Sequence, residues 1–127
     1  MIKVKLSNWK SDHQMDEAYK ALRTNIQFCG ADKKVIALTS CTPNEGKSSV
    51  AFNLAASLAE SGKSVLLIDA DLRKSLLMGR VTVDQEVMGL AHYLSKQAKL
   101  SDVICATTLP KFHIIFSGIV PPNPAEL

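Results

Sequence analysis

A run of strand-forming residues, Lys34-Val35-Ile36-Ala37-Leu38-Thr39-Ser40, leads directly into Cys41-Thr42-Pro43-Asn44-Glu45-Gly46-Lys47-Ser48, and helical spacing follows at once. The run is short, apolar and partly β-branched, which predicts a buried strand. Beyond the loop, Ala51, Leu54, Ala55 and Leu58 recur on one helical face, and Gly62 supplies a stop. Strand, glycine-containing loop, Lys-Ser and helix is an order that few architectures accommodate. It sets backbone N–H groups and a helix N-terminus around an anion, adds the point charge of Lys47, and offers the Ser48 hydroxyl to Mg²⁺. Thr42, Pro43, Asn44, Glu45, Gly46, Lys47, Ser48 and Ser49 are therefore the candidate phosphate-binding set. One position departs from the full phosphate-loop pattern: Cys41 stands where the first Gly is expected, five residues before Gly46.

A second apolar run, Val65-Leu66-Leu67-Ile68, ends in Asp69-Ala70-Asp71. Residues two apart on an extended chain point the same way, so both carboxylates can face one site. In a parallel sheet the ends of successive strands share an edge, and ligands bind at that carboxyl edge. One carboxylate is then suited to hold Mg²⁺ or its water, and the other to accept a proton from an attacking hydroxyl. The plainer alternative is a helix cap with a salt bridge to Arg73 or Lys74.

At 127 residues the chain is at most one domain, and 46% hydrophobic with 21% charged residues is ordinary for a globular protein. A net charge of +3, with basic residues spread rather than massed, leaves no nucleic-acid footprint. Cys29, Cys41 and Cys105 are odd in number and lack metal-ligand spacing, so reduced thiols are expected. No apolar run approaches the ~20 residues that span a bilayer. His13, His92 and His113 have no partner spacing and read as surface or packing residues.

Residues 2–6 alternate apolar and Lys, as in a short edge strand or a loose arm. From Asp12 to Cys29 the spacing of Met15, Ala18, Tyr19, Leu22 and Ile26 predicts a helix ended by Gly30, with Glu17, Lys20 and Arg23 as a charged stripe beside its apolar face. Val87 to Gln97 and Leu100 to Cys105 are also expected to be helical, and Lys111 to Phe116 a third buried strand. Strands alternating with helices predict a parallel α/β sheet flanked by helices. Near the end, Asn123-Pro124-Ala125-Glu126 carries a helix-start signal one residue before the sequence stops. The expected organisation is an N-terminal arm and helix over 1–30, then an incomplete nucleotide-binding domain of P-loop NTPase type over 31–127, truncated at its C-terminal end.

Several segments resemble one family, the cytoplasmic bacterial tyrosine kinases that control capsular and exopolysaccharide synthesis. Thr39 to Asn53 resembles its Walker A segment, in which the first Gly is commonly absent, and Val65 to Lys74 resembles its Walker A′ motif. Glu17 to Ile26 is similar to the helix whose Glu-x-x-Arg-x-x-Arg pattern mediates self-association, with Lys20 at the middle Arg. Gly89 to Ser95 and Ser117 to Leu127 also fit. The resemblance implies ATP as donor and protein tyrosine as acceptor. Lys47 would contact the β- and γ-phosphates, Ser48 would bind Mg²⁺, Asp69 would activate the tyrosine hydroxyl, and Asp71 would support the metal. It further implies homo-oligomers joined through Glu17, Lys20 and Arg23, and a separate membrane-anchored activator that recruits a cytoplasmic chain to the inner face of the membrane. Family members continue into a Walker B strand with a metal-side Asp, further sheet and a C-terminal tyrosine cluster, none of which occurs in these 127 residues. Two other readings are a non-catalytic nucleotide-binding or oligomerisation module and a partitioning-type ATPase. The latter class usually carries a Lys early in the loop, where this chain has Cys41-Thr42-Pro43-Asn44.

Overall fold

The computed structural model describes residues 2–6, 13–29, 35–38, 47–70, 81–82 and 87–118, with side chains for 3–5, 17–29, 35–38, 50–70 and 87–118. In chain order the elements are β1 (Ile2–Leu6), α1 (His13–Phe28), α2 (Lys47–Glu60), β2 (Val65–Ile68), β3 (Val81–Thr82), α3 (Leu90–Leu94), α4 (Leu100–Val103), β4 (Ile104–Thr107) and β5 (Phe112–Ile115). The strands form a sheet in the order β2-β5-β4-β1-β3. Parallel pairing holds for β2 with β5 and for β1 with β4, whereas β4–β5 and β1–β3 are antiparallel. The α/β expectation stands, but the sheet is mixed rather than wholly parallel. The reason is local: β4 and β5 are joined by only 108–111, too short for a crossover, so they form a hairpin. Thr107 closes it, its hydroxyl donating to the Phe112 carbonyl at 2.9 Å and accepting the Leu109 N–H at 3.2 Å.

Strand register gathers the core on one face. Val65 lies opposite Phe112, Leu67 opposite Ile114, Ile114 opposite Cys105, and Val4 opposite Thr107. Phe52, Ala55, Ala56 and Ala59 of α2 pack on that face with Val4, Cys105, Phe112, Ile114 and Phe116. Three alanines let the helix backbone approach the sheet, and Phe52 meets Phe112 edge to face at 5.6 Å between ring centroids. Gly62 ends α2 as its position predicts. At φ +97° it permits a Schellman turn, with Lys63 N–H on the Leu58 carbonyl at 3.3 Å and Gly62 N–H on the Ala59 carbonyl at 3.0 Å.

Three expectations change. Among the described residues Val35 to Leu38 joins no strand, although its composition is strand-like, and Val35 is 92% exposed. A strand is stabilised by neighbours, and Ile36 and Leu38 line a cavity together with Val65, Leu66 and Leu67 of β2 without pairing with them. The helix expected over Leu100–Cys105 stops at Val103. Ile104 and Cys105 instead pair with Ile115 and Ile114, where a β-branched residue fits better. The helix expected over Val87–Gln97 is confined to Leu90–Leu94. It closes in a Schellman turn, Gln97 N–H on the His92 carbonyl at 2.8 Å and Lys96 N–H on the Tyr93 carbonyl at 3.1 Å. The helix start at Asn123–Glu126 lies outside the described residues.

Candidate functional site

α2 begins at Lys47, so Lys47, Ser48 and Ser49 form its first turn, where backbone N–H groups have no helical partner and the helix dipole is positive. Their side chains, the loop Thr42 to Gly46, and Asp71 lie outside the described parts. The helix is held by its other end and its apolar face. After the turn at Gly62 the chain reverses, and β2 runs back along α2 toward the end that carries Lys47. A four-residue strand advances about 13 Å at ~3.3 Å per residue, most of the ~21 Å length of a 14-residue helix.

Asp69 follows directly on β2. It is only 7% exposed, and its N–H donates to the Ile115 carbonyl at 2.9 Å, extending the β2–β5 ladder by one residue. β2 and β5 are parallel, so their carboxyl ends share an edge, with Asp69 on one and Phe116, Ser117 and Gly118 on the other. A buried carboxylate at the carboxyl edge of a sheet stands where ligands bind in open α/β folds.

A structural element at this edge was not legible as part of the site. α3 docks on the end of β5 through Leu90 N–H to the Phe116 carbonyl at 2.6 Å and Ala91 N–H to the Ser117 carbonyl at 2.9 Å. Gly89 and Gly118 meet backbone to backbone, and the Gly89 N–H donates to His92 Nδ1 at 2.9 Å. Gly89 to Ser95 and the pair Ser117–Gly118 thus touch one another, and His92 is a packing residue that holds them together. No local signal in the sequence pairs these two glycines, which are 29 positions apart.

The stripe on α1 is divided. Glu17 and Lys20 are exposed, but Arg23 turns inward, donating from Nη1 to the Ser57 carbonyl at 2.8 Å and to the Ser57 hydroxyl at 3.2 Å. Tyr19 is buried, and its hydroxyl accepts from Asn53 Nδ2 at 3.5 Å. Both contacts fasten α1 to α2, the helix that carries Lys47. Among the described residues no group of three His, Cys, Asp or Glu side chains is gathered to hold a metal. Burial raises the Cys105 thiol pKa.

These features define a P-loop-type α/β domain. Residues 33–120 match the AAA domain family. A tyrosine-protein kinase CpsD of Streptococcus agalactiae is 44% identical over 121 residues, covering 95% of this chain and 53% of that protein. A tyrosine-protein kinase YwqD of Bacillus subtilis is 42% identical, covering 87% of this chain and 47% of its own length. The solved kinase domain of the Escherichia coli tyrosine kinase ETK superposes with a TM-score of 0.82 at 33% identity, over 98% of this chain and 57% of that one. The chain belongs to the AAA domain family, and it is similar to these tyrosine kinases over part of their length. It spans about half the length of the curated relatives it matches.

Proposed function

We propose that the chain is the ATP-binding portion of a protein-tyrosine kinase that regulates capsular or exopolysaccharide synthesis. The observation that carries this reading is the return of β2 beside α2, which brings buried Asp69 toward the helix end that begins with Lys47. The first-turn amides of α2 and the Lys47 ammonium bind the β- and γ-phosphates, with Thr42 to Gly46 and Ser49 as further nucleotide-binding positions. The residue types fit Mg²⁺: the Ser48 hydroxyl and the carboxylates of Asp71 and Asp69 are hard oxygen donors. When bound there, the cation neutralises charge on the phosphate oxygens. Asp69 takes the proton of an incoming tyrosine hydroxyl as that oxygen bonds to the γ-phosphorus and the ADP oxygen departs.

The test is calorimetric titration with Mg²⁺·ATP. Lys47→Ala should lose binding, and unchanged affinity would remove the phosphate-loop assignment. Asp69→Asn should keep ATP binding while tyrosine phosphorylation falls by about 10²–10⁴-fold, the usual contribution of a general base. A second reading is a nucleotide-binding module without turnover. ATP binding with no tyrosine phosphorylation would select it.

The same reading includes self-association through Glu17, Lys20 and Arg23, a separate membrane-anchored activator, and work at the cytoplasmic face of the membrane. No helix among the described residues is long and apolar enough to cross a membrane. Arg23 also ties α1 to α2, so its reversal mixes assembly with folding. Glu17→Lys is the cleaner probe because Glu17 is exposed. Sedimentation should shift toward monomer, and an unchanged profile would count against this surface.

A further inference from the structure

α2 begins at Lys47, so the position of the helix along its own axis decides where that lysine stands. The sheet side fixes this position weakly. Among the described residues, α2 gives the core cluster Phe52 and three alanines, Ala55, Ala56 and Ala59. Alanines pack closely but interlock little, so sliding along the axis is resisted chiefly where Phe52 meets the Phe112 ring. The side facing α1 is built differently. Tyr19 Oη accepts from Asn53 Nδ2 at 3.5 Å, and Arg23 Nη1 donates to the Ser57 carbonyl at 2.8 Å and to its hydroxyl at 3.2 Å. Tyr19 and Arg23 are four residues apart on α1, as Asn53 and Ser57 are on α2. Each pair spans about one helical turn, about 6 Å along the axis. Two contacts at different heights fix tilt as well as axial advance, which a single contact leaves free. Ser57 is buried, and the guanidinium brings directional, charge-assisted bonds to both of its oxygens.

We infer that Tyr19 and Arg23 are positioning residues for the nucleotide site: they clamp α2 where its first-turn amides and Lys47 meet the phosphates. The inference rests on the ATP-binding reading above and extends it to residues outside contact range of the nucleotide. Asn53 and Ser57 lie six and ten residues beyond Lys47, about 9 and 15 Å along the helix at ~1.5 Å per residue. A helix of about four turns moves as a rigid element, so a displacement at the clamp reappears at its first turn. Phosphate recognition by a fixed set of N–H groups is sensitive to shifts of about 1 Å. Arg23 therefore acts within one chain, on the helix it touches, whereas exposed Glu17 and Lys20 of the same stripe face solvent.

The test compares Mg²⁺·ATP titrations of the unaltered chain and Arg23→Met, which keeps an apolar stem and loses the donors. Both are read at a temperature where far-UV circular dichroism shows them fully folded. The dissociation constant should rise about tenfold, well inside the ~100-fold that a misplacement of about 1 Å can cost. Arg23→Lys, whose ammonium can still donate to the Ser57 carbonyl, should recover most of that loss. Tyr19→Phe keeps the buried ring and removes one long hydrogen bond, so it should weaken binding about twofold. In the unaltered chain, saturating Mg²⁺·ATP should slow solvent exchange of the Arg23 guanidinium protons, because coupling between two sites is reciprocal. An unchanged dissociation constant in Arg23→Met, with only a lower unfolding temperature, would make the contacts purely structural. That result overturns the inference and leaves ATP binding in place. An effect that varies with protein concentration would assign it to self-association and equally overturn the inference. Absence of Mg²⁺·ATP binding by the unaltered chain would remove the ATP-binding reading itself, and the inference with it. Should Arg23→Met fail to fold, Tyr19→Phe and the guanidinium exchange of the unaltered chain decide.

Discussion

Replacing Gly89 by Ala tests whether the carboxyl edge is built by direct backbone contact. A Cβ at Gly89 would stand 2.5 Å from the Gly118 Cα and from the Phe116 carbonyl oxygen, and against the Gly118 nitrogen. All three are backbone atoms, so no rotamer change relieves the clash. Gly89 itself has φ −129° and ψ −167°, extended backbone that alanine adopts freely, so the cost is steric and not conformational. Restoring ordinary contact requires roughly 1 Å of separation. That movement carries the Leu90–Phe116 and Ala91–Ser117 hydrogen bonds, now 2.6 and 2.9 Å, out of good geometry. Two lost bonds at about 1 kcal/mol each, added to an overpacking cost of about 1–3 kcal/mol, give a destabilisation of about 3–5 kcal/mol. With a urea m-value of about 1–3 kcal/mol/M, the unfolding midpoint should fall by at least about 1 M. Gly62→Ala is the matched control. Nothing lies within 4 Å of its Cβ, but φ is +97°, so it should cost about 1–2 kcal/mol from backbone strain alone. A loss below about 1 kcal/mol for Gly89→Ala would show that α3 is not seated on β5 by the glycine contact.

Three further outcomes follow from local geometry and burial. Lys96 occupies the left-handed position of the turn that ends α3, with φ 66°, so Lys96→Gly should stabilise the chain by about 1 kcal/mol; no gain in thermal unfolding would refute that assignment. Burial raises the Cys105 thiol pKa above its ordinary 9.0, so the unfolded chain ionises first as pH rises. The stability linked to this thiol is complete below pH 9 and is lost progressively above it. Cys105→Ala should flatten the alkaline limb of a stability–pH curve, and an unaltered limb would contradict the burial argument. In a Cys41→Ser background, exposed Cys29 should be alkylated rapidly and Cys105 only on unfolding.

Much of this protein was determined by patterns a few residues long. α1 and α2 follow from 3.6-residue spacing, the end of α2 from Gly62, and β2 from four successive apolar residues, because each depends on neighbours close in the chain. The placement of Asp69 at a strand end was legible for the same reason. Tertiary structure decided what needed a distant partner. Val35 to Leu38 reads as a strand and is not one, since a strand lacks internal hydrogen bonds and requires an adjacent edge. Ile104 and Cys105 left a predicted helix because β5 offered a ladder. Arg23 turned from a surface stripe to the Ser57 carbonyl, 34 residues away, because packing α1 on α2 placed that carbonyl within its reach. The meeting of Gly89 with Gly118 has no local signature in the sequence. It exists because α3 and the end of β5 come together, where only residues without a Cβ allow so close an approach.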